Sequence, residues 1–283
     1  MKKQYNKNSE WNVKTIILNT LLVAGLITCL YPLIWLVLFS LKGNNEIFGG
    51  NVAGLPEKFL WENYKEALIN AKVSGYFLNS VLVTAVTIAA TSFLSLTTSY
   101  AITRMKWKLS KAVLNLILLG LMVPLHSALL PIFVILKNLK MLNTYWALII
   151  PYTVFAIPMV VFIFSGFLKG IPRELEESAC IDGCNIYQIL FNIVLPLIKP
   201  AIATIAIFTY LSSWNELMFA VTFISDKKFK TITVGIQTMV GQYSTSWGPI
   251  GAGLVVATLP TIIIYSFMSS QVQKSLIVGA VKG

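Results

Sequence analysis

Residues 171–200 begin Ile171-Pro172-Arg173-Glu174-Leu175-Glu176-Glu177-Ser178-Ala179-Cys180-Ile181-Asp182-Gly183, run on from Cys184 to Asn192, and close with Ile193-Val194-Leu195-Pro196 and Pro200. This is a long polar interruption between two apolar runs. Pro172 suits the first turn of a helix, where its missing N–H is not needed. Glu174, Glu176 and Glu177 follow at once and put negative charge at the positive end of the helix dipole. Leu175, Ser178, Ala179 and Asp182 fall three or four apart, so they share one narrow face. Gly183 is free to take the left-handed conformation that ends a helix and turns the chain. A second helical pattern over 186–195 meets Pro196 and Pro200, which are expected to stop it. The reading is a short helix, a glycine turn and a second helix, held between two apolar spans.

The rest of the chain settles the class. Hydrophobic residues make up 56% and charged residues 12%, with mean hydropathy +0.75, whereas a soluble protein carries about a quarter charged residues. An all-α integral membrane protein is expected. Six apolar runs are long enough to cross about 30 Å of hydrocarbon: residues 15–41, 75–101, 112–136, 145–168, 201–224 and 250–270, in one transmembrane domain over 1–283. The first run is too long for a signal peptide and no small-residue cleavage site follows it, so it is kept as a span. Pro124 and Pro131 should kink the third span, and Pro151 and Pro158 should break the fourth. His126, the only histidine, reads as a packed or path-facing residue rather than a ligand or catalyst. Residues 43–74 are polar, but Pro56, Phe59, Trp61 and Tyr64 give them enough apolar content for ordered structure at the membrane interface.

Six spans require both termini on one side. With that side cytoplasmic, its segments hold Lys2, Lys3, Lys7, Lys14, Arg104, Lys106, Lys108, Lys111, Lys169, Arg173, Lys199, Lys274 and Lys282, 13 of the 22 basic residues. They are densest in the short loops, which count most for orientation. The net charge of +11 therefore reads as membrane orientation and not as a nucleic-acid surface. Cys29, Cys180 and Cys184 have no histidines around them, so no metal is expected, nor a disulfide in a cytoplasmic loop. No Gly-x-x-x-x-Gly-Lys-Ser/Thr phosphate loop occurs, and no nucleophile–base pair is apparent. The chain is expected not to be an enzyme, to carry no cofactor and to draw its energy from a partner.

Glu216 is the only carboxylate inside a predicted span. A charge in lipid costs at least a few kcal/mol, so it should face the bundle interior or a wet cavity. Trp214 and Asn215 beside it supply an aromatic face and an amide, which suit sugar hydroxyls. A Trp214 in the interfacial belt with Glu216 paired to another helix is the structural alternative, and both stand.

Glu177-Ser178-Ala179, three residues, Gly183, nine residues, then Ile193-Val194-Leu195-Pro196 resembles the EAA loop of ABC-importer permeases, with Ser178 where the family usually has alanine. Glu62-Asn63-Tyr64, Leu78-Asn79-Ser80, Leu142-Asn143-Thr144-Tyr145-Trp146-Ala147, Ser213-Trp214-Asn215-Glu216 and the tail Gly279-Ala280-Val281-Lys282-Gly283 extend the likeness over nearly the whole chain. They resemble the smaller, maltose-permease-like subunit of carbohydrate importers. The tail departs in following Gln271 and Gln273 at a shorter spacing than is usual in the family.

The resemblance implies a cytoplasmic coupling helix in the loop between the fourth and fifth spans. It would dock in a cleft of an ATP-hydrolysing subunit through Glu177, Ser178, Ala179, Asp182, Gly183, Leu195 and Pro196. It also implies a translocation path near Trp214, Asn215 and Glu216, and a tail contact with the ATPase through Gly279, Lys282 and Gly283. The implied partners are a second homologous permease, two ATP-binding subunits that hold the ATP, an extracytoplasmic sugar-binding protein and membrane lipid. The expected activity is import of carbohydrate, in particular oligosaccharide, across the cytoplasmic membrane. Alternatives are a permease for peptides or glycerol phosphate, or an ion-coupled secondary transporter. The last would need midplane charges in two repeated halves, where this chain has one carboxylate inside a predicted span and no convincing repeat.

Overall fold

Backbone that meets no water must bond to itself, and these apolar runs do so as helices. The computed structural model describes residues 13–241 and 245–280, with side chains from 15 to 268, and no strand occurs among the described residues. In chain order the helices are α1 (Val13–Ser40), α2 (Asn44–Phe48), α3 (Glu62–Lys65), α4 (Val73–Thr103), α5 (Ser110–Leu119), α6 (Leu129–Asn138) and α7 (Trp146–Lys169). Then come α8 (Glu174–Ile181), α9 (Ile186–Gln188), α10 (Leu195–Leu197), α11 (Lys199–Trp214), α12 (Met218–Phe223), α13 (Ile232–Gln237) and α14 (Trp247–Ala280). Among the described residues four helices are long and apolar enough to cross a membrane: α1, α4, α7 and α14. The count rises to six if each of two sharply bent helix pairs is one span.

The prolines act differently from expectation. The third run is not one kinked helix. It breaks at Val123–Pro124, and its halves stand 92° apart. Pro131, near the start of α6, sits where a missing N–H costs little. The fourth run is not broken at all, because Pro151 and Pro158 lie inside continuous α7 and both are buried by neighbouring helices. Pro158 faces Gly120, where an added Cβ would come within 2.7 Å of its ring, so the broken run and α7 approach closely. The fifth run ends its helix at Trp214 and resumes as α12. Pro196 and Pro200 do not stop the helix before it. The chain continues through a π-type segment, Ile189–Val194, and α10, then turns 79° at Ile198. Pro196 and Pro200 sit instead in the opening turns of α10 and α11.

α4 lies at the centre, with α7 along it and α11 between it and α14, while α1 rests on α14. Most of α1 presents Leu and Ile outward, with Leu21 and Ile27 more than 60% exposed, as a lipid-facing helix does. Buried apolar side chains form three clusters. One joins α4, α7 and the 171–205 region through Tyr100, Phe164, Leu168, Ala179 and Val194. The second gathers α6, α7 and α12 around Phe219 and Phe223. The third gathers Tyr76, Tyr210, Trp214 and Ile250. Residues 43–72 are ordered, as expected. Lys42 is fully buried there, and its Nζ donates to the carbonyls of Asn51 (2.6 Å), Val52 (3.3 Å) and Gly54 (2.7 Å). All three N–H groups of this buried ammonium thus have acceptors.

Candidate functional site

The turn after α7 is built by local signals. Arg173 begins the helix, with its carbonyl accepting from Glu176 and Glu177 N–H, and Glu174, Glu176 and Glu177 occupy the first turn. Pro172 precedes this helix rather than opening it. At the other end Gly183 has φ +84°, the left-handed turn predicted from its missing side chain. Cys184 N–H reaches the carbonyl of Ala179 at 3.0 Å and Gly183 N–H that of Cys180 at 3.1 Å, the paired closure of a glycine-terminated helix. Asn185 then starts the next helix. Its side chain accepts from Tyr187 and Gln188 N–H, and the Gln188 side chain accepts from Asn185 N–H, a reciprocal cap that the pattern Asn-x-x-Gln encodes.

Tertiary contacts decide which way α8 faces. Ala179 is 5% exposed and packs into the cluster with Tyr100, Leu168 and Val194, so it points at its own subunit. Glu177, Ser178, Asp182 and Gly183 are exposed. Beside them lie Leu175, 42% exposed, and also Ile181, 87%, and Tyr187, 71%, the last two being apolar groups that the sequence reading did not single out. Leu195 packs against the cluster and Pro196 is exposed. The shared small face of Leu175, Ser178, Ala179 and Asp182 is therefore divided, with one member inward and three outward.

A second missed group holds α8 in place. Arg104, one residue past the end of α4, places Nε 2.7 Å from Glu176 Oε1. The N–H is not aligned for a hydrogen bond, so charge holds this contact. Arg104 Nη2 donates to the Ile171 carbonyl at 2.7 Å, and Tyr100 Oη donates to Glu176 Oε2 at 3.1 Å. Both charged side chains are largely buried, at 5% and 14% exposure. Arg104 and Glu176 are 72 positions apart, and only the fold joins them.

The three residues at the end of α11 point in three directions. Trp214 is buried, donates Nε1–H to the Ala257 carbonyl at 3.1 Å and stacks on Tyr210. Asn215 is exposed and donates to the Leu211 carbonyl. Glu216 is 7% exposed and fills the break before α12. Its Oε1 accepts from Phe219 N–H at 2.9 Å. Its Oε2 accepts from Phe219 and Ala220 N–H, both at 3.1 Å, and from Tyr152 Oη at 2.8 Å. His126 Nε2, from the break in the third run, lies 3.8 Å from Oε1. A cleft of about 220 Å³ opens beside this carboxylate, lined by Val123, Leu125, Tyr152, Phe155 and Ser213 among others. A mixed apolar and hydroxyl wall with one carboxylate can hold a polar solute. Gly279 lies in the last turns of α14, and Lys282 and Gly283 lie outside the described residues.

Residues 91–278 match the family described as binding-protein-dependent transport system inner membrane component. The chain belongs to this family. As an inner membrane component it is a multi-pass membrane protein. It is 37% identical over 258 residues to the "Probable ABC transporter permease protein YurM" of Bacillus subtilis (strain 168), covering 91% of this chain and 85% of that one. It is 30% identical over 272 residues to the trehalose/maltose transport system permease protein MalG of Thermococcus litoralis, covering 95% and 96%. Among solved structures it resembles that of a bacterial ABC transporter for import of the acidic polysaccharide alginate, with TM-score 0.81, 21% identity and coverage of 91% and 96%. This last likeness concerns the fold. The all-helical permease fold places α8 at one end of the bundle and the Glu216 cleft within it.

Proposed function

We propose that this permease carries carbohydrate, in particular oligosaccharide, inward across the cytoplasmic membrane as one subunit of an ATP-driven importer. The trehalose/maltose permease, matched over almost its full length, supports the solute class. The observation that carries the mechanism is α8: a short acidic helix anchored on its inner face by Ala179 and the Arg104–Glu176 pair, with Glu177, Ser178, Ile181, Asp182 and Gly183 left uncovered. An anchored helix with a bare outer face suits docking into a partner that moves. ATP belongs to that partner, because this chain has no phosphate loop. The complex contains a second homologous permease, two ATP-binding subunits and an extracytoplasmic sugar-binding protein. Both termini and α8 are cytoplasmic, with six spans when each broken run counts once. The Gly279–Lys282–Gly283 tail makes a second contact with the ATPase, and Pro196 and Leu195 bound the docking loop.

Of the three path residues, Glu216 is the one beside the cleft, and Trp214 serves the bundle from its position against Ala257. The test is co-purification of the ATPase with the permease pair, followed by reconstitution in vesicles with the binding protein. Maltose or another oligosaccharide should stimulate ATP hydrolysis and appear inside. A complex stimulated only by peptides or glycerol phosphate would replace the solute class, and a permease that binds no ATPase would remove the mechanism.

A further inference from the structure

α4 is fastened by polar contacts at both ends, and one face between them carries a row of small side chains. At its α8 end stand Tyr100 and Arg104, holding both oxygens of Glu176 and the Ile171 carbonyl. At the other end Asn79 donates to the carbonyls of Lys228 and Lys230, both at 2.9 Å, and accepts from Tyr145 Oη at 2.8 Å. Ser80 Oγ accepts the N–H of Ile232 at 2.9 Å. From that segment Thr233 Oγ1 donates to the carbonyl of Glu216 at 3.0 Å, beside the cleft. Between the two ends Ser80, Thr84, Thr87, Thr91, Ser95 and Ser99 are all buried. Their spacing of three or four puts them on one helix face. Small side chains let neighbouring helices approach closely, and Ser99 on this face also bonds across, its Oγ donating to the Val161 carbonyl at 3.3 Å. At about 1.5 Å per residue, Asn79 and Tyr100 lie roughly 32 Å apart along the axis.

We propose that Arg104 and Glu176 are positioning residues that pass movement of α8 into α4, and that α4 passes it on as a strut through Asn79 and Ser80 to residues 228–233 and so to the break that carries Glu216. The inference rests on α8 being the docking helix. Each link between two elements is a polar contact, and chains of such contacts joined by a rigid helix can carry coupling; its demonstration is the change in uptake per ATP measured below. An ion pair suits the first link because its charge term persists through small changes of angle, whereas a neutral hydrogen bond weakens steeply. Breaking a buried pair leaves an unpaired charge, so single variants alone are ambiguous and a charge exchange is needed.

The experiment uses the full complex in vesicles, comparing wild type with Arg104→Gln, Glu176→Gln, Tyr100→Phe, Asn79→Ala and the exchange Arg104→Glu with Glu176→Arg. Solute uptake and ATP hydrolysis are measured on the same preparation, with the amount of bound ATPase. The expected result is normal ATPase association and continued hydrolysis, with uptake per ATP lowered about 5-fold or more in the three charge-link and strut variants Arg104→Gln, Glu176→Gln and Asn79→Ala. The drop should be smaller in Tyr100→Phe, and the exchange should restore the ratio in part. Uptake and hydrolysis falling together in proportion to lost complex would overturn the link and leave a structural pair. Unchanged uptake per ATP in all variants would overturn it too. If wild type itself binds no ATPase, the docking reading fails and takes the link with it; if wild type couples and the variants couple equally, only the link fails.

Discussion

Replacing Glu216 with leucine removes acceptors from three donors at once: Phe219 N–H, Ala220 N–H and Tyr152 Oη. α12 is six residues long, so the amides that Glu216 caps open a helix with few internal bonds. Losing a cap costs about 1–2 kcal/mol. The bond from Tyr152 is buried and goes to a carboxylate, which in a soluble protein sets it at roughly 1.5–3 kcal/mol. Side-chain bonds between membrane helices average about 0.6 kcal/mol with a maximum near 1.7, so the lower range applies. The sum for Glu216→Leu is about 2–4 kcal/mol, well beyond the ~0.5 kcal/mol scatter of surface substitutions. Glu216→Gln keeps one oxygen, which can take the position of Oε2 and serve Tyr152 and Ala220. Its amide nitrogen then replaces Oε1, which accepted from Phe219 N–H at 2.9 Å; that amide keeps only its longer bond to the remaining oxygen, at 3.1 Å, and the cost is about 1 kcal/mol.

Because membrane proteins often unfold irreversibly, the reading should be the rate of loss of folded chain at a fixed temperature in detergent. Glu216→Leu should be lost much faster than wild type, with Glu216→Gln between the two. Uptake per folded chain then separates cap from path: Gln near wild type leaves a cap, and Gln well below it means that the charge meets solute. A Leu variant as durable as wild type would refute the capping argument. A Gln variant lost as fast as Leu would show that charge, and not hydrogen bonding, holds the break.

Gly183→Asp and Ala179→Asp should fail differently. Gly183 has open space around its Cβ position and a left-handed φ, so Asp costs about 1–2 kcal/mol of backbone strain and acts mainly by weakening ATPase co-purification; Ala179→Asp forces a carboxylate into the Tyr100–Leu168 cluster and should lower the folded yield itself. Lys42→Met leaves three carbonyls without their donor but also removes a buried charge, for a net loss of about 1–3 kcal/mol, seen as faster proteolysis within residues 43–60. In a chain with its native cysteines replaced by serine, a cysteine at Lys227 should react with an impermeant thiol reagent in intact cells and one at Glu174 should not; the reverse pattern would invert the proposed orientation.

The turn at Gly183 was legible because its signals are local. Gly183 must have a positive φ wherever a helix turns back at that point, and the three glutamates favour a helix start whatever packs nearby. The prolines were misjudged for the opposite reason. Pro158 and Pro124 present the same ring and the same missing N–H, yet α7 runs through one and the chain breaks at the other. α7 is enclosed by α4, α5 and α11, and that packing holds the helix together where the ladder bond is lost. The residues around Pro124 are mostly exposed and gain nothing by staying straight. Arg104 shows the limit from the charge side. In sequence it belongs to a basic patch with Lys106, Lys108 and Lys111, and orientation accounts for all four. In the fold Lys106, Lys108 and Lys111 are exposed while Arg104 is buried against Glu176, so one member of an apparently uniform patch holds the helix 174–181. A charge whose partner lies 72 residues away leaves no trace in local pattern, and the same holds for Ala179, whose inward direction was set by α4 and α7 and not by its neighbours in α8.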